Sequence, residues 1–285
     1  MTTQTTTTAE YAWRPDATTF AAADVVPEAL IMQTSTVAGS IEGDKPSLHV
    51  AYVDDADAEF VAEAVEIDES DPDMSEVLVH TGKISQLIKL STEQYNQEGT
   101  AGQLAMSVSR AIIKRADQAY ISQVAPTPPA VHPPAGLLNI DNIVEGQEIL
   151  GDLDALVDLI AELEAEGSMP SHIVVDPRGW AALRKLKTGI EFNSSLLGAG
   201  TTDAVPMLLS LPVLVNRWVP AYSGLLLDRT AVVSAVGPVR IASSEHQFFS
   251  SDSVALRATW RIGWNVVRPN RIGKFVINDG EPGGS

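Results

Sequence analysis

The sequence predicts an α+β fold in which a long two-stranded ribbon and one long helix precede a second unit of mixed strands and helices. Three observations support this prediction: apolar residues alternate over residues 41–91, a helical pattern covers residues 100–123, and a proline-rich stretch at residues 125–136 separates them from shorter elements. The chain has 285 residues, of which 45% are hydrophobic and 20% charged. It therefore has enough apolar material for a sizeable core.

The composition limits the classes of function. A formal net charge of -18 and a pI of about 4.5 argue against a protein that neutralises nucleic-acid phosphates through a basic surface. Cysteine is absent, so neither disulfides nor thiolate metal sites can form. The N-terminus lacks the features of a secretory signal, and no apolar run in the sequence is long enough to span a bilayer. We therefore expect a protein that is made in the cytoplasm and has no membrane partner.

The N-terminal residues are predicted to form an extended arm. Residues 1–29 are rich in Thr and Ala, and Pro15 and Pro27 interrupt any helix. Such a segment becomes ordered when another molecule receives it, although a flexible tail is the alternative interpretation. We assign residues 1–40 to this arm and a first strand.

Residues 41–90 are predicted to form an extended loop built as a two-stranded ribbon. Its middle, residues 54–76, contains eleven carboxylates and no Lys or Arg. Unpaired charges in such number cannot be buried, so the ribbon is expected to project from the body. Ser70–Asp73 is the predicted turn at its tip.

Residues 91–136 are predicted to hold a spine helix and a proline-rich link. Thr100 and Gln103 have the spacing of a capping box, and the helix is expected to continue to about Gln123. Its apolar face repeats at helical spacing and consists of Leu104, Val108, Ala111, Ile112, Ala116 and Ala119. The five prolines of residues 125–136 then favour a stiff connector and a change of domain.

The second half is predicted to be α/β, with one domain over residues 137–245 and returning strands with a C-terminal tail over residues 246–285. The first predicted element is an amphipathic helix, Asp152–Glu166, which Gly167 ends and whose apolar residues are Leu153, Leu156, Val157, Ile160 and Leu163. A buried strand, His172–Asp176, follows, and then a helix from Pro177 to Gly189 with Asp176 as its cap. Further strands are predicted at Pro212–Val215, Gly224–Leu227, Thr230–Val236 and Val239–Ala242. The chain is expected to close with a long alternating pair of strands, Ser253–Val267 and Arg271–Ile277.

The residues that could carry chemistry do not form a recognisable site. The five histidines stand singly, at His49, His80, His132, His172 and His246. No serine has the flanking glycines of a nucleophile elbow, and neither Gly198 with Gly200 nor Gly82 with Lys83 completes a nucleotide-binding motif. We predict no catalytic, cofactor-binding or metal site and no enzymatic function.

The order of these parts resembles the major capsid proteins of tailed double-stranded DNA bacteriophages with the Hong Kong 97-type fold. Local matches in the same order are Lys83-Ile84 to Leu90-Ser91-Thr92-Glu93, Arg110 to Asp117 with Ala119, Pro134-x-Gly136-Leu137-Leu138, Ile173 to Pro177 before Trp180 and Leu183, Leu211 to Val215 before Pro220, and Ser251 to Ala258 before Arg261 and Gly263. The resemblance implies an arm, an extended loop over a neighbouring subunit, a peripheral domain built on the spine helix, and an axial domain at residues 137–245.

The resemblance also implies partners and a location. Many copies, as pentamers and hexamers, would form the icosahedral shell of the virion around DNA bound without sequence specificity. A portal is implied, whether a decoration protein binds is left open, and scaffolding is expected from a separate protein because only about thirty residues precede the first core-like segment. The loop has no lysine, so the isopeptide cross-link of the namesake phage is not expected.

Two other functions remain open at this point. An encapsulin shares the fold and packages cargo enzymes, but it typically begins with an amphipathic helix, which residues 1–29 do not resemble. A cytoplasmic α/β enzyme would need a catalytic constellation and has no use for a long acidic ribbon.

Charge asymmetry suggests a contact between subunits. Residues 257–274 contain five basic residues and no Asp or Glu, namely Arg257, Arg261, Arg268, Arg271 and Lys274. We expect the loop acids Glu66, Asp68 and Glu69 to lie over these strands, or over the nearby Lys114 and Arg115, of a neighbouring subunit. The alternative is that the acids face water and the basic residues are satisfied within their own subunit.

Overall fold

The structure is a computed structural model that describes residues 17–41, 47–53, 74–95, 100–187 and 206–278. Its strands are β1 (Ala17–Phe20), β2 (Thr36–Ser40), β3 (Ser47–Val53), β4 (Met74–Ser91), β5 (Val144–Glu145), β6 (His172–Val175), β7 (Met207–Leu208), β8 (Leu211–Val215), β9 (Ser223–Leu227), β10 (Val232–Val236), β11 (Val239–Phe248), β12 (Ser253–Val266) and β13 (Gly273–Val276). Its α-helices are α1 (Ala22–Val25), α2 (Leu30–Thr34), α3 (Thr92–Tyr95), α4 (Thr100–Ser122), α5 (Asp154–Ala165) and α6 (Pro177–Lys185).

Seven strands form the first sheet. Across it lie β1, β11, β12, β10 and β2 in that order, and β4 pairs with the other side of β12 through residues 81–91. The N-terminal part of β4 pairs antiparallel with β3, so the predicted ribbon is confirmed over residues 47–53 and 74–80, whereas residues 81–91 pair with β12. The predicted tip turn, Ser70–Asp73, lies outside the described residues.

Helix α4 covers one face of this sheet. It runs from Thr100 to Ser122, one residue short of the predicted end, and buries Val108, Ile112 and Ala116. These residues pack in the same core as Trp260 of β12, which is fully buried. The helix bounds and its apolar face therefore confirm the prediction.

Six strands form the second sheet, in the order β5, β13, β9, β6, β8, β7. Helix α5 packs on it through Leu156, Leu159 and Leu163, and its end is followed by Gly167 at φ +73°, as predicted. Helix α6 begins as predicted, because both carboxylate oxygens of Asp176 accept backbone N–H groups of the first turn.

The N-terminal part differs from the prediction. From residue 17 on, the chain packs against its own body: β1 pairs with β11, and Val26, Ala29 and Ile31 are fully buried. The prediction of an extended arm is therefore wrong over residues 17–29. Pro27 lies between two short helices, α1 and α2, and does not prevent either from forming. Residues 1–16 lie outside the described residues.

The final strands also differ from the prediction. β12 lies in the first sheet and β13 in the second, so they do not pair with each other. β10 and β11 belong to the first sheet as well, although residues 137–245 were expected to form one domain. The expected division at residue 245 therefore does not follow the sheets.

Two details of the helices are corrected. Leu159 is buried where Val157 was expected, and Val157 is 47% exposed. Helix α6 ends at Lys185, before the expected stop at Gly189, which lies outside the described residues.

Candidate assembly interface

Basic side chains cluster on part of the face of the first sheet that points away from α4, beside the buried apolar residues Val79, Val233 and Ala235. Residues paired directly across neighbouring strands share a face, and the register pairs Arg257 with Leu87, and Arg261 with Lys83. The same rule places Arg240, which is opposite Thr259, on this side. It also places Lys89 there, because Lys89 is opposite Ala255. We call the five cations the basic face: Lys83, Lys89, Arg240, Arg257 and Arg261.

No described Asp or Glu in the register-paired parts of β4, β11 and β12 shares the basic face. Four of its five cations are exposed; Arg261 is half-buried and donates to the hydroxyl of Thr81 at 3.1 Å. The Lys89 ammonium lies 4.8 Å above the ring of Phe248. In a chain with a net charge of -18, this surface is suited to an anionic partner.

Strand alternation produces this face, because successive residues of β12 point to opposite sides. The alternate residues Ala258, Trp260 and Ile262 are buried on the α4 side. The Trp260 indole donates to the Gly237 carbonyl at 2.9 Å, which satisfies its buried N–H. Packing of the apolar side thus fixes the outward direction of the basic side chains.

The structure brings together two of the five basic residues predicted from the sequence. Arg257 and Arg261 lie on the basic face. Lys274 lies on β13 in the second sheet and pairs with Glu145 at 2.6 Å. Arg271 lies beside Gly167, within a short 3₁₀ helix that begins at Pro269, and Arg268 immediately precedes that helix.

Other expected contact residues are engaged within the chain or lie outside the described residues. The Lys114 ammonium is 5.9 Å from the Trp218 ring, and Arg115 donates to the side-chain oxygens of Gln118 and Gln123. The predicted loop acids Glu66, Asp68 and Glu69 lie outside the described residues.

Sequence reasoning missed Lys83, Lys89 and Arg240. The two lysines are separated by an even number of residues within one strand, which places them on the same face. Their pairing with β12, by contrast, requires the register, which the sequence does not show. With these three residues included, the basic face extends over three strands, β4, β11 and β12.

A buried polar junction joins the two layers behind this face. The Asp117 carboxylate, on α4, accepts the Leu30 backbone N–H and the Asn216 side-chain amide, each at 2.9 Å. Asn216 in turn follows β8, and its backbone N–H donates to the Val175 carbonyl. Burial raises the pKa of Asp117 to about 6, against the lowering effect of these two hydrogen bonds. Burial likewise raises the pKa of Tyr120 and lowers that of His172.

No group of three or more metal-ligating side chains occurs within the parts of the chain that the structure describes. Within the same ranges, no helix is long and apolar enough to cross a membrane.

Comparisons with known proteins agree with this architecture. No curated protein matches the sequence. Similar solved structures include the capsid of a native GTA particle (TM-score 0.66, 19% identity, covering 97% of this chain and 95% of that one), Gordonia phage Cozz (0.63, 16%, 95% and 90%) and Microbacterium phage Oxtober96 (0.64, 14%, 98% and 96%). At these identities the likeness is one of fold, and it confirms the predicted α+β fold of Hong Kong 97 type. The profile of the phage capsid family matches residues 4–277, and the chain therefore belongs to the phage capsid family.

Proposed function

We propose that this chain is the major capsid protein of a tailed bacteriophage and that many copies of it assemble into an icosahedral shell. The observation that carries this proposal is the family match over residues 4–277, on a fold shared with phage capsids over nearly its full length. The family is structural, which accords with a chain in which we found no catalytic motif.

Electron microscopy of the expressed protein tests the proposal. We expect closed shells, formed alone or with a separate scaffolding protein, and capsomer-sized species in size-exclusion chromatography. Small oligomers that form no shell under either condition would contradict it. Shells from infected cells should contain double-stranded DNA, whereas shells filled with cargo enzymes would support a nanocompartment.

Within the subunit, we assign the first sheet with α4 to the peripheral domain and the second sheet with α5 and α6 to the axial domain. The support is the sheet membership, which places β13 with the second sheet and β10 to β12 with the first. Pentamers and hexamers would then form around the second sheet. A portal and packaged DNA complete the expected partners, and the excess of acidic residues would leave the DNA mobile.

We assign the basic face as the receiver of the acidic loop of a neighbouring subunit, with Glu66, Asp68 and Glu69 as contacts. Charge complementarity supports this, because residues 54–76 contain eleven carboxylates and no cation while the basic face has five cations. A single exposed ion pair contributes only about 0 to 1 kcal/mol, so the effect belongs to the cluster. We assign to Lys83, Lys89 and Arg240 the contact role that was first expected of Arg268, Arg271 and Lys274.

Charge reversal tests the contact. Replacing Glu66, Asp68 and Glu69 together by Lys should block assembly of a folded subunit, and the further changes Arg257→Glu and Arg261→Glu should partly restore it. The matched control changes three exposed acids of α5 to Lys, namely Asp158, Glu162 and Glu164, with the same change in net charge. Normal assembly of the loop variant at low salt would show that the loop is not docked electrostatically.

A further inference from the structure

A small pocket lies within the basic face, beside the turn that joins β10 to β11. Its volume is about 40 Å³, roughly three times the volume that a single water molecule needs. Lys83 of β4, Arg240 of β11 and Arg261 of β12 line it, and Thr259 adds a hydroxyl. Cations from three strands therefore surround a space that suits one small anion.

The strand register brings these cations together against their mutual repulsion. Lys83 lies directly opposite Arg261, and like charges in such a pair destabilise a sheet. Arg240 is opposite Thr259, two residues before Arg261, and so lies diagonally across from that arginine. Within the described ranges, neither Lys83 nor Arg240 forms a salt bridge. An anion in the pocket would offset the repulsion.

Hydrogen bonds hold the floor of the pocket in place. Gly237, in the turn between β10 and β11, donates its N–H to the Arg261 carbonyl at 2.8 Å, and its own carbonyl accepts the Trp260 indole at 2.9 Å. The bond from the Arg261 guanidinium to the Thr81 hydroxyl orients that group. Ile41 is 3% exposed and forms an apolar wall, beside which a charge-assisted hydrogen bond is stronger than in water. The donors are thus positioned before a ligand binds.

We propose that this pocket binds inorganic phosphate, and that phosphate competes there with the carboxylates of a neighbouring subunit's acidic loop. Two guanidinium groups, an ammonium and a hydroxyl line the pocket, and a tetrahedral oxyanion has an oxygen for each of them. A carboxylate has only two oxygens. A phosphodiester of DNA carries a sugar on two of its oxygens, so it is too large for this space. The competition rests on the proposed docking of the loop on the basic face.

Phosphate binding and loop docking oppose each other because they use the same donors. Each therefore lowers the affinity for the other by the same factor. An occupied pocket also leaves the basic face with less positive charge, which slows its encounter with an acidic segment. Phosphate should therefore hinder shell assembly, and assembly should release phosphate.

Titration calorimetry of the unassembled subunit with inorganic phosphate, at constant ionic strength in chloride, tests the site. We expect a single phosphate for each chain. Arg240→Gln should weaken binding about tenfold, as for the loss of one charge-assisted hydrogen bond, and Lys83→Gln should do the same. Both side chains are exposed, so the variants should fold.

Lys89→Gln is the matched control, because Lys89 is an exposed cation of the basic face that does not line the pocket. It lies six residues beyond Lys83 on β4, which corresponds to about 20 Å along the strand. That separation exceeds the Debye length of about 8 Å at physiological ionic strength. Phosphate binding by Lys89→Gln should therefore equal that of the natural subunit.

Shell assembly provides a second readout. Exchanging chloride for phosphate at equal ionic strength should lower the shell yield of the natural chain. The ratio of the yields in the two salts should approach one for Arg240→Gln and should stay at its natural value for Lys89→Gln. This ratio separates the effect of phosphate from any effect of the substitutions on assembly itself.

Four outcomes would overturn the inference. They are phosphate binding that Arg240→Gln and Lys83→Gln leave unchanged, displacement of phosphate by a short DNA duplex, equal shell yields of the natural chain in the two salts, and absence of phosphate binding. Binding that appears only after Glu42→Gln and Asp44→Asn would belong to the last case, because it would assign the pocket to acids that follow Ile41 in the same chain. Failure of the unaltered protein to form shells would instead contradict the proposed function, and calorimetry of the unassembled subunit would still test the site.

Discussion

Replacing Asp117 by Asn should remove the pH dependence of subunit stability that this carboxyl contributes between about pH 4 and 6. The Asp117 side chain is buried, and it joins α4 to Leu30 of α2 and to Asn216 after β8. Its pKa lies at about 6 in the folded subunit, against a usual 3.8, because burial disfavours the charged form.

The sign follows from proton binding. The folded subunit holds this proton more tightly than the unfolded chain, so the stability contributed by Asp117 is greatest below pH 3.8. It falls as the pH rises and is lost above about pH 6. The difference between the two pKa values corresponds to about 3 kcal/mol.

The amide introduced by Asp117→Asn would stay neutral and could still accept the Leu30 N–H, but its NH₂ group would face the NH₂ group of Asn216. That mismatch costs about 1 kcal/mol, since Asn216 already uses its oxygen to accept the Trp218 N–H. The variant should therefore be about 2 kcal/mol more stable than the natural subunit at pH 7 and about 1 kcal/mol less stable at pH 4.

Urea unfolding of unassembled subunits at pH 4, 5, 6 and 7 measures this difference, and Asp158→Asn, an exposed carboxylate on α5, is the matched control. Parallel stability profiles for Asp117→Asn and the natural subunit across this range would refute the reasoning. They would show that the buried carboxylate does not change its charge on this scale.

Three further predictions concern packing, capping and covalent structure. Gly263→Ala should destabilise the subunit by about 3 kcal/mol in urea unfolding, because a Cβ would lie 2.2 Å from the His80 carbonyl; an unchanged midpoint would contradict this. Asp176→Ala should cost about 1 to 2 kcal/mol by removing the cap of α6, and a loss well below that range would count against the cap. Mature shells should run as single chains on a denaturing gel after hot detergent, since the chain has no cysteine and residues 54–76 have no lysine; a ladder of bands would disprove it.

Local sequence patterns were sufficient to predict those elements that are determined by interactions between residues close together in the sequence. The spine helix was predicted from its apolar repeat, and the start of α6 from the order Asp176-Pro177, because a cap and a proline act within one turn. The ribbon was predicted from alternation on both sides of the acidic segment. In each case the deciding interaction lies within a few residues along the chain or within one hairpin.

Choices between equivalent surfaces could not be made from the sequence. On α5, both Val157 with Ile160 and Leu156 with Leu159 have helical spacing, and the position of the second sheet decides that Leu159 is buried. Likewise, β13 pairs within the second sheet and therefore does not pair with β12. The basic face depends on pairing between β4, β11 and β12, which are far apart in sequence.

Strand β12 couples correct folding to correct assembly. Its alternate residues have two roles: Trp260 and Ile262 fill the core, while Arg257 and Arg261 form the basic face. A shift of one residue in its pairing would bury the arginines and expose the tryptophan, at a cost far above any gain from an exposed ion pair. Gly263 also opposes such a shift, because only a residue without a Cβ fits against the His80 carbonyl. The packing that stabilises the subunit therefore also sets which charges it presents to its neighbours.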